Sequence, residues 1–193
     1  TWKAMGGAQF RGLSAPANRI CVAGTNVFVA GGFERAGSSK ISHLARWDGN
    51  RWNSVGDFVG GVNQMTARGE ELFVVGPFTA GGATNLARWD GSWHSIGAAL
   101  SGSLLAVTTT SNEVFVARAP DPNHFLISRW NGVQWSDVAS AESPNFDLNG
   151  LVVLNGSIIV SGRIDSINGI PVNNIAQWNG VAWDSMQIGR AHV

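Results

Sequence analysis

Tyrosine is absent from this 193-residue chain, and cysteine occurs once, at Cys21. The first absence removes tyrosine-based metal and radical chemistry; the second excludes an intrachain disulfide. Cys21 lies in an apolar, strand-like run, Ile20-Cys21-Val22-Ala23, and reads as a small buried hydrophobe rather than a reactive thiol. Charge is scarce: 13% of residues are Asp, Glu, Lys or Arg, and 13 bases balance 13 acids. Nucleic acid and anionic membranes call for a basic face, so neither is an expected partner. No apolar run approaches the about 20 residues of a membrane-crossing helix, and no membrane insertion is expected. Low charge with abundant Gly, Asn, Ser and Thr suits an extracellular or cell-surface protein.

Chemistry-bearing motifs are equally sparse. There is no Gly-x-Ser-x-Gly elbow, no phosphate-binding loop and no calcium loop. His43, His94, His124 and His192 show no metal-ligand spacing and fall at different repeat positions. No pair of carboxylates is marked out for glycoside hydrolysis. The expectation is therefore no catalytic residue, no metal, no cofactor and no enzyme. Asp48, Asp90 and Asp121 sit in turn sequences, where local backbone bonding accounts for them.

What the chain does have is tryptophan, and all nine copies belong to one motif. It reads Ala-Arg-Trp47-Asp-Gly-Asn-Arg-Trp52, then Ala-Arg-Trp89-Asp-Gly-Ser-Trp93. The third copy is Ser-Arg-Trp130-Asn-Gly-Val-Gln-Trp135 and the fourth Ala-Gln-Trp178-Asn-Gly-Val-Ala-Trp183. Trp2 heads Trp2-Lys-Ala-Met-Gly6, the tail of a fifth copy. Successive tail tryptophans lie 50, 41, 42 and 48 residues apart. A period of that size marks a repeat architecture.

One period reads as four short strands. Val62–Arg68 is the first, and Gly69-Glu70 a turn. Leu72–Val75 is the second, ended by Gly76-Pro77-Phe78; Thr79–Ala83 is a loop. Asn85–Trp89 is the third, Asp90-Gly91 the turn, Trp93–Ile96 the fourth. Four antiparallel strands per period is one propeller blade. The predicted fold is all-β: an arc of four four-stranded blades, about 17–56, 61–97, 102–139 and 148–186, plus residues 1–6 as the last strand of a preceding blade. The propeller would span 1–187 and belong to a larger ring. Residues 188–193 resemble an adapter read-through and are expected to be a non-native tail. The second strands, Val27–Ala30, Leu72–Val75, Val114–Ala117 and Ile158–Ser161, are apolar on both faces, as a strand between neighbouring blades should be. The glycine column after them runs Gly31, Gly76, Arg118, Gly162, so the third repeat reads as decayed there.

A two-residue turn at Gly49-Asn50 would set Trp47 directly opposite Trp52. The second copy, one residue shorter, needs a three-residue loop to keep the pair. Trp2, Trp52, Trp93, Trp135, Trp178 and Trp183 are accordingly predicted to be structural, with Gly31, Gly32, Gly49, Gly91, Gly132 and Gly180 at turns or close approaches. Candidate binding residues are the Arg-Trp pairs Arg46 and Trp47, Arg88 and Trp89, and Arg129 and Trp130. A tryptophan face suits the apolar side of a sugar, and a guanidinium donates to its hydroxyls. The bland alternative is that each Trp fills the gap between blades while its Arg covers the rim.

The string Val29-Ala-Gly31-Gly32-Phe33 followed by a hairpin and a fixed downstream Trp52 resembles a kelch-type blade, as in galactose-oxidase-like propellers. The fuller pattern, Asn-x-Ala-Arg-Trp-Asp-Gly-x-x-Trp, is more similar still to large bacterial surface proteins and to the propeller region of the fungal cortical cell-polarity marker. The resemblance covers Trp2 to Met186. It implies the fold and leaves activity open, because propellers host enzymes, lectins and scaffolds. Copper chemistry does not carry over, since its tyrosine ligands are missing. WD repeats and Asp-boxes fit less well: no Gly-His occurs, and Asp48-Gly49 has no residue between. The expected role is a non-catalytic interaction or structural module of a larger extracellular bacterial protein. Its contacts would come from Glu34–His43, Thr79–Thr84, Asp121–Phe125 and Asp165–Asn173. A glycan-binding lectin is the alternative, and a catalytic propeller with its active site elsewhere the third. Partners would be a protein or glycan ligand, further blades, or a second copy.

Overall fold

The computed structural model describes Met5, residues 12–142 and residues 147–186. Trp2, the 1–6 strand as a whole and the 188–193 tail lie outside the described residues. Every regular element described is a strand. The fold is an all-β propeller of four four-stranded antiparallel blades, each a simple up-and-down meander. The first blade comprises Ala17–Ala23, Asn26–Gly31, Leu44–Trp47 and Trp52–Ser54. The second comprises Gln64–Arg68, Glu71–Ala80, Ala83–Trp89 and Trp93–Ser95. Ser103–Thr109, Val114–Asp121, His124–Trp130 and Trp135–Glu142 form the third. Leu148–Leu154, Ser157–Gly162, Ile175–Trp178 and Trp183–Ser185 form the fourth. The chain divides into two compact units, Thr1–Leu100 and Ser101–Val193, with two blades in each.

Within a unit the blades are joined by an apolar layer, because successive strand residues point to opposite faces. In the first unit, Ala23, Phe28, Ala30 and Leu44 of the first blade meet Met65, Leu72, Val74 and Ala87 of the second. In the second unit, Ala106, Phe115, Ala117 and Ile127 meet Leu151, Ile158, Val160 and Ala176. Within each unit the first blade thus turns one strand parity to the second, and the second turns the other parity back.

The glycine column has a steric cause. A Cβ on Gly31, Gly76 or Gly162 would lie 2.3, 2.4 or 2.1 Å from a carbonyl oxygen of the chain leading into the first strand. Gly102 of the third blade serves the neighbouring crossing, where a Cβ would lie 2.2 Å from the Ala119 oxygen, as Gly60 does in the second blade, 2.3 Å from the Pro77 oxygen. In the third blade the column position itself is taken by Arg118. It is 8% exposed and donates from Nε to Ser128 Oγ (2.7 Å), from NH1 to the Ser101 oxygen (3.1 Å) and from NH2 to Asp137 (2.9 Å). Ser128 donates in turn to Asp137 at 2.6 Å. The residues at the repeat positions of Arg118, Ser128 and Asp137 are Gly31, Ala45 and Ser54, then Gly76, Ala87 and Ser95, then Gly162, Ala176 and Ser185 in the other blades. All three positions changed together in the third.

Three further expectations need correction. The 62–68 strand begins at Gln64, and a separate Val59–Gly60 segment pairs with the second strand. That second strand does not end at Val75 but continues through Gly76 and Pro77 to Ala80. The supposed 79–83 loop is a tight hairpin in which Ala80 faces Ala83 across Gly81 and Gly82, both at positive φ; that geometry suits the twist of the strands. The 34–43 and 165–173 segments are likewise ordered, as detached hairpins Arg35–Ala36/Ser39–Lys40 and Ser166–Ile167/Ile170–Pro171.

Candidate functional site

The motif tryptophans face each other in register in every blade: Trp47 and Trp52, Trp89 and Trp93, Trp130 and Trp135, Trp178 and Trp183. Ring centroids lie 5.3 Å apart in the first pair, 5.4 Å in the third and 6.1 Å in the fourth. Trp93 instead packs on Phe58 and Phe78 at 5.7 and 6.3 Å. The loop between the rings is held by its first residue. Asp48 Oδ1 accepts from the Asn50 and Arg51 amides, both at 2.9 Å. Asn131 and Asn179 do the same in the third and fourth blades. Gly49, Gly91, Gly132 and Gly180 all have φ between 93° and 117°, which glycine takes without a steric penalty. Around Gly32 a Cβ would meet nothing within 4 Å. The amide bonds from Arg51 and Asn50, with the Asn53 carboxamide, hold the Asp48 carboxyl down at about 2.

The tail tryptophans also tie one repeat to the next. Trp93 Nε1 donates to the Val55 oxygen (2.6 Å), Trp183 Nε1 to the Val138 oxygen (2.8 Å) and Trp52 Nε1 to the Met5 oxygen (3.3 Å). Each acceptor lies three residues beyond the tail tryptophan of the preceding copy: Trp52, Trp135 and Trp2.

The candidate binding pairs occupy equivalent places. Trp89 is wedged between Phe28, at 5.3 Å, and the Arg46 guanidinium, at 5.5 Å, of the preceding blade. Trp178 is held in the same way by Phe115, at 5.5 Å, and Arg129, at 5.7 Å. The arginines are themselves anchored to the first residue of the second strand. Arg88 meets Glu71 at 2.6 Å and Asp90 at 3.0 Å; Arg129 Nε meets Glu113 at 2.8 Å. In the fourth blade both members are neutral, with Gln177 donating to Ser157 at 3.0 Å. The first blade keeps the cation without the acid: Arg46 reaches Asn26 at 2.9 Å, and its buried Nε has no partner. Each of the eight tryptophans described is buried or half-buried, and of the candidate pairs Arg46, Trp89 and Arg129 are engaged between neighbouring blades.

Histidines sit apart from one another. His94 Nε2 lies 3.0 Å from both Asp90 and Ser92, through a single nitrogen, and His124 Nδ1 lies 2.7 Å from Asp121. His43 adopts φ 65°, with a buried Nδ1 lacking a partner. Among the described residues, no group of three or more His, Cys, Asp or Glu could hold a metal ion. No helix there is long and apolar enough to cross a membrane. Burial pushes the Cys21 thiol up.

One concavity went unnoticed in the sequence. Ala36, Gly37, Ser38 and Ser39 of the detached hairpin, with Asn50, Arg51 and Trp52 of the tryptophan turn, enclose a half-open pocket of about 170 Å³ in the first blade. Asn50 and Arg51 look like turn filler in sequence. The signal lay in comparing them with the equivalent residues of the fourth copy, Val181 and Ala182.

Meander blades with a repeated, inward-packed tryptophan pair define a β-propeller repeat protein. A family model for the Rax2 C-terminal beta propeller domain matches residues 17–161, well over half of the chain, and the chain belongs to that family. No curated protein matches it. Among solved structures, the chain is similar to a mutant Aleuria aurantia lectin in complex with alpha-methyl-L-fucoside. Identity is 14%, over 83% of this chain and 55% of that one, with a TM-score of 0.47. A second structure of that lectin, described as a six-bladed β-propeller with a novel fucose recognition mode, matches at 13% identity. That match covers 91% of this chain and 64% of the other, with a TM-score of 0.48. The chain therefore spans less than two thirds of either.

Proposed function

We propose that this chain is a non-catalytic binding module of a larger extracellular bacterial protein, in which the blades are a rigid support and the hairpins between second and third strands make the contacts. One observation carries this reading. The described tryptophans and the glycine column are largely taken up by packing, whereas the hairpin at one and the same place takes three forms over the four blades and a different sequence in each. It is detached at Arg35–Lys40, continuous with the strands at Gly81-Gly82, turned through Asp121 to His124, and detached again at Ser166–Pro171. Variable hairpins on a fixed scaffold are where binding concentrates. The low charge supports the extracellular part of the proposal, and the similarity of the Asn-x-Ala-Arg-Trp-Asp-Gly-x-x-Trp pattern to large bacterial surface proteins supports the bacterial part.

A printed array of glycans and peptides tests it. The chain is expected to retain a discrete subset, and exchange of the hairpin tips is expected to abolish retention with the sheets intact. Retention that survives exchange of all four tips would overturn the hairpin reading, and turnover of a retained glycan would overturn the non-catalytic one. A glycan ligand is the second reading. It is favoured by the pocket at Trp52, the place where a described hairpin encloses space together with a tryptophan and hydrogen-bond donors.

A further inference from the structure

We propose that the pocket of the first blade binds a single acidic sugar residue, a carboxylate-bearing pyranose; this deepens the hairpin-binding reading and rests on it. At about 170 Å³ the pocket falls below the ~300–1,000 Å³ of drug-sized sites, which selects one ring over an oligosaccharide. Its lining includes Ser38, Ser39, Asn50 and Arg51, and no Asp or Glu among the described residues. Arg51 has a side chain 77% exposed and lies 3.9 Å from Asp48, a contact loose enough for a ligand carboxylate to compete. Trp52, 7% exposed, completes the lining, and its indole N–H is committed to the Met5 oxygen. A lining of donor residues and one indole, with no acid of its own, matches a sugar ring that bears an anion.

The fourth blade supplies an internal control. Its detached hairpin has the same form and packs against the same outer strand, Trp183–Ser185. There the residues matching Ser39, Asn50 and Arg51 are Ile170, Val181 and Ala182. The donors of the first blade are therefore not demanded by the hairpin fold; an apolar set serves that purpose. Val181 is 90% exposed, so the equivalent position is open to solvent rather than needed for the core.

The control also provides the variant. Ser39→Ile, Asn50→Val and Arg51→Ala together install the fourth blade's lining in the first. Binding is measured by saturation-transfer NMR and calorimetry with D-glucuronate, N-acetylneuraminate and D-glucose. The inference requires saturable binding of at least one of the two acids, weaker binding of glucose, and at least a tenfold loss in the triple variant, with unchanged circular dichroism. The acid that binds identifies the source as uronic or sialic. Absence of saturable binding, equal binding of glucose, or undiminished binding by the triple variant overturns it. If array retention depends on the hairpin tips yet survives the triple variant, the pocket inference falls and the broader binding reading stands.

Discussion

At the residue scale, the tail tryptophans do two jobs that substitution can separate. Trp93→Phe keeps most of the contact with Phe58 and Phe78 but deletes the donor to Val55. One buried hydrogen bond is worth about 1 kcal/mol net, so chemical denaturation should show a loss of that order. Trp93→Ala adds the cavity, and about 3–5 kcal/mol is expected. Asp48 gives a pH prediction. Its carboxyl is held at about 2 in the fold, below the about 3.9 of an unfolded aspartate. Its contribution is complete above the unfolded value and is lost as pH falls through the folded one. A carbon-detected titration should find its midpoint near 2, and a value near 3.9 would mean the turn is open. Asp48→Asn should keep the turn, because Asn131 and Asn179 cap it with the same two amide bonds, while losing the pH-dependent contribution of the carboxylate.

At the scale of elements, the third blade makes the sharpest case. Asp137→Ala would leave the buried Arg118 cation without its acid; with the Asp137 side chain 45% exposed, the loss expected is that of a buried donor left unsatisfied, about 1–3 kcal/mol. Replacing the whole set by the consensus of the other blades, Arg118→Gly with Ser128→Ala and Asp137→Ser, should recover most of that loss. A triple variant as unstable as the single one would show that the three positions are not one unit. This blade also shows how much the sequence discloses. The strand order, the facing tryptophans and the two-sided apolar strands were legible, because each follows from alternation and a repeating motif. The Arg118 exchange read as decay because its partners, Ser101, Ser128 and Asp137, lie on other segments and come within reach only once the blade is folded. The pocket was hidden for a similar reason. Ser38 and Ser39 approach Asn50 and Arg51 only because the hairpin folds back along the outer strand, and nothing in the local pattern of either segment encodes that return. The Arg-Trp pairs were legible as a repeated unit, while their engagement by the neighbouring blade needed the packing itself.

At the scale of the whole molecule, some columns are exposed in one blade and buried in another. Ile20 is 71% exposed in the first blade, yet its equivalents Met65 and Leu151 are 8% and 1% exposed against their preceding blades. Leu154 is 55% exposed where its equivalent, Ala23, is fully covered by the following blade. Val22 and Val152, at 62% and 51%, extend these two surfaces. Such apolar faces favour association. Sedimentation of this chain should show concentration-dependent self-association, weakened by Ile20→Thr with Leu154→Lys. A monomer at every concentration would contradict the expectation.

The link from Trp52, Trp93 and Trp183 to the repeat before each has an evolutionary reading. Its donor is a side chain fixed by the motif, but its acceptor is a main-chain carbonyl, which every amino acid possesses. A repeat therefore places no demand on the identity of the residue it grips in its predecessor. Copies can be duplicated, deleted or exchanged between genes, and the new neighbours will find one another's anchor already in place. The blades can diverge in their hairpins at the rate that ligand selection asks, while the joint between them stays compatible with any partner of the same length.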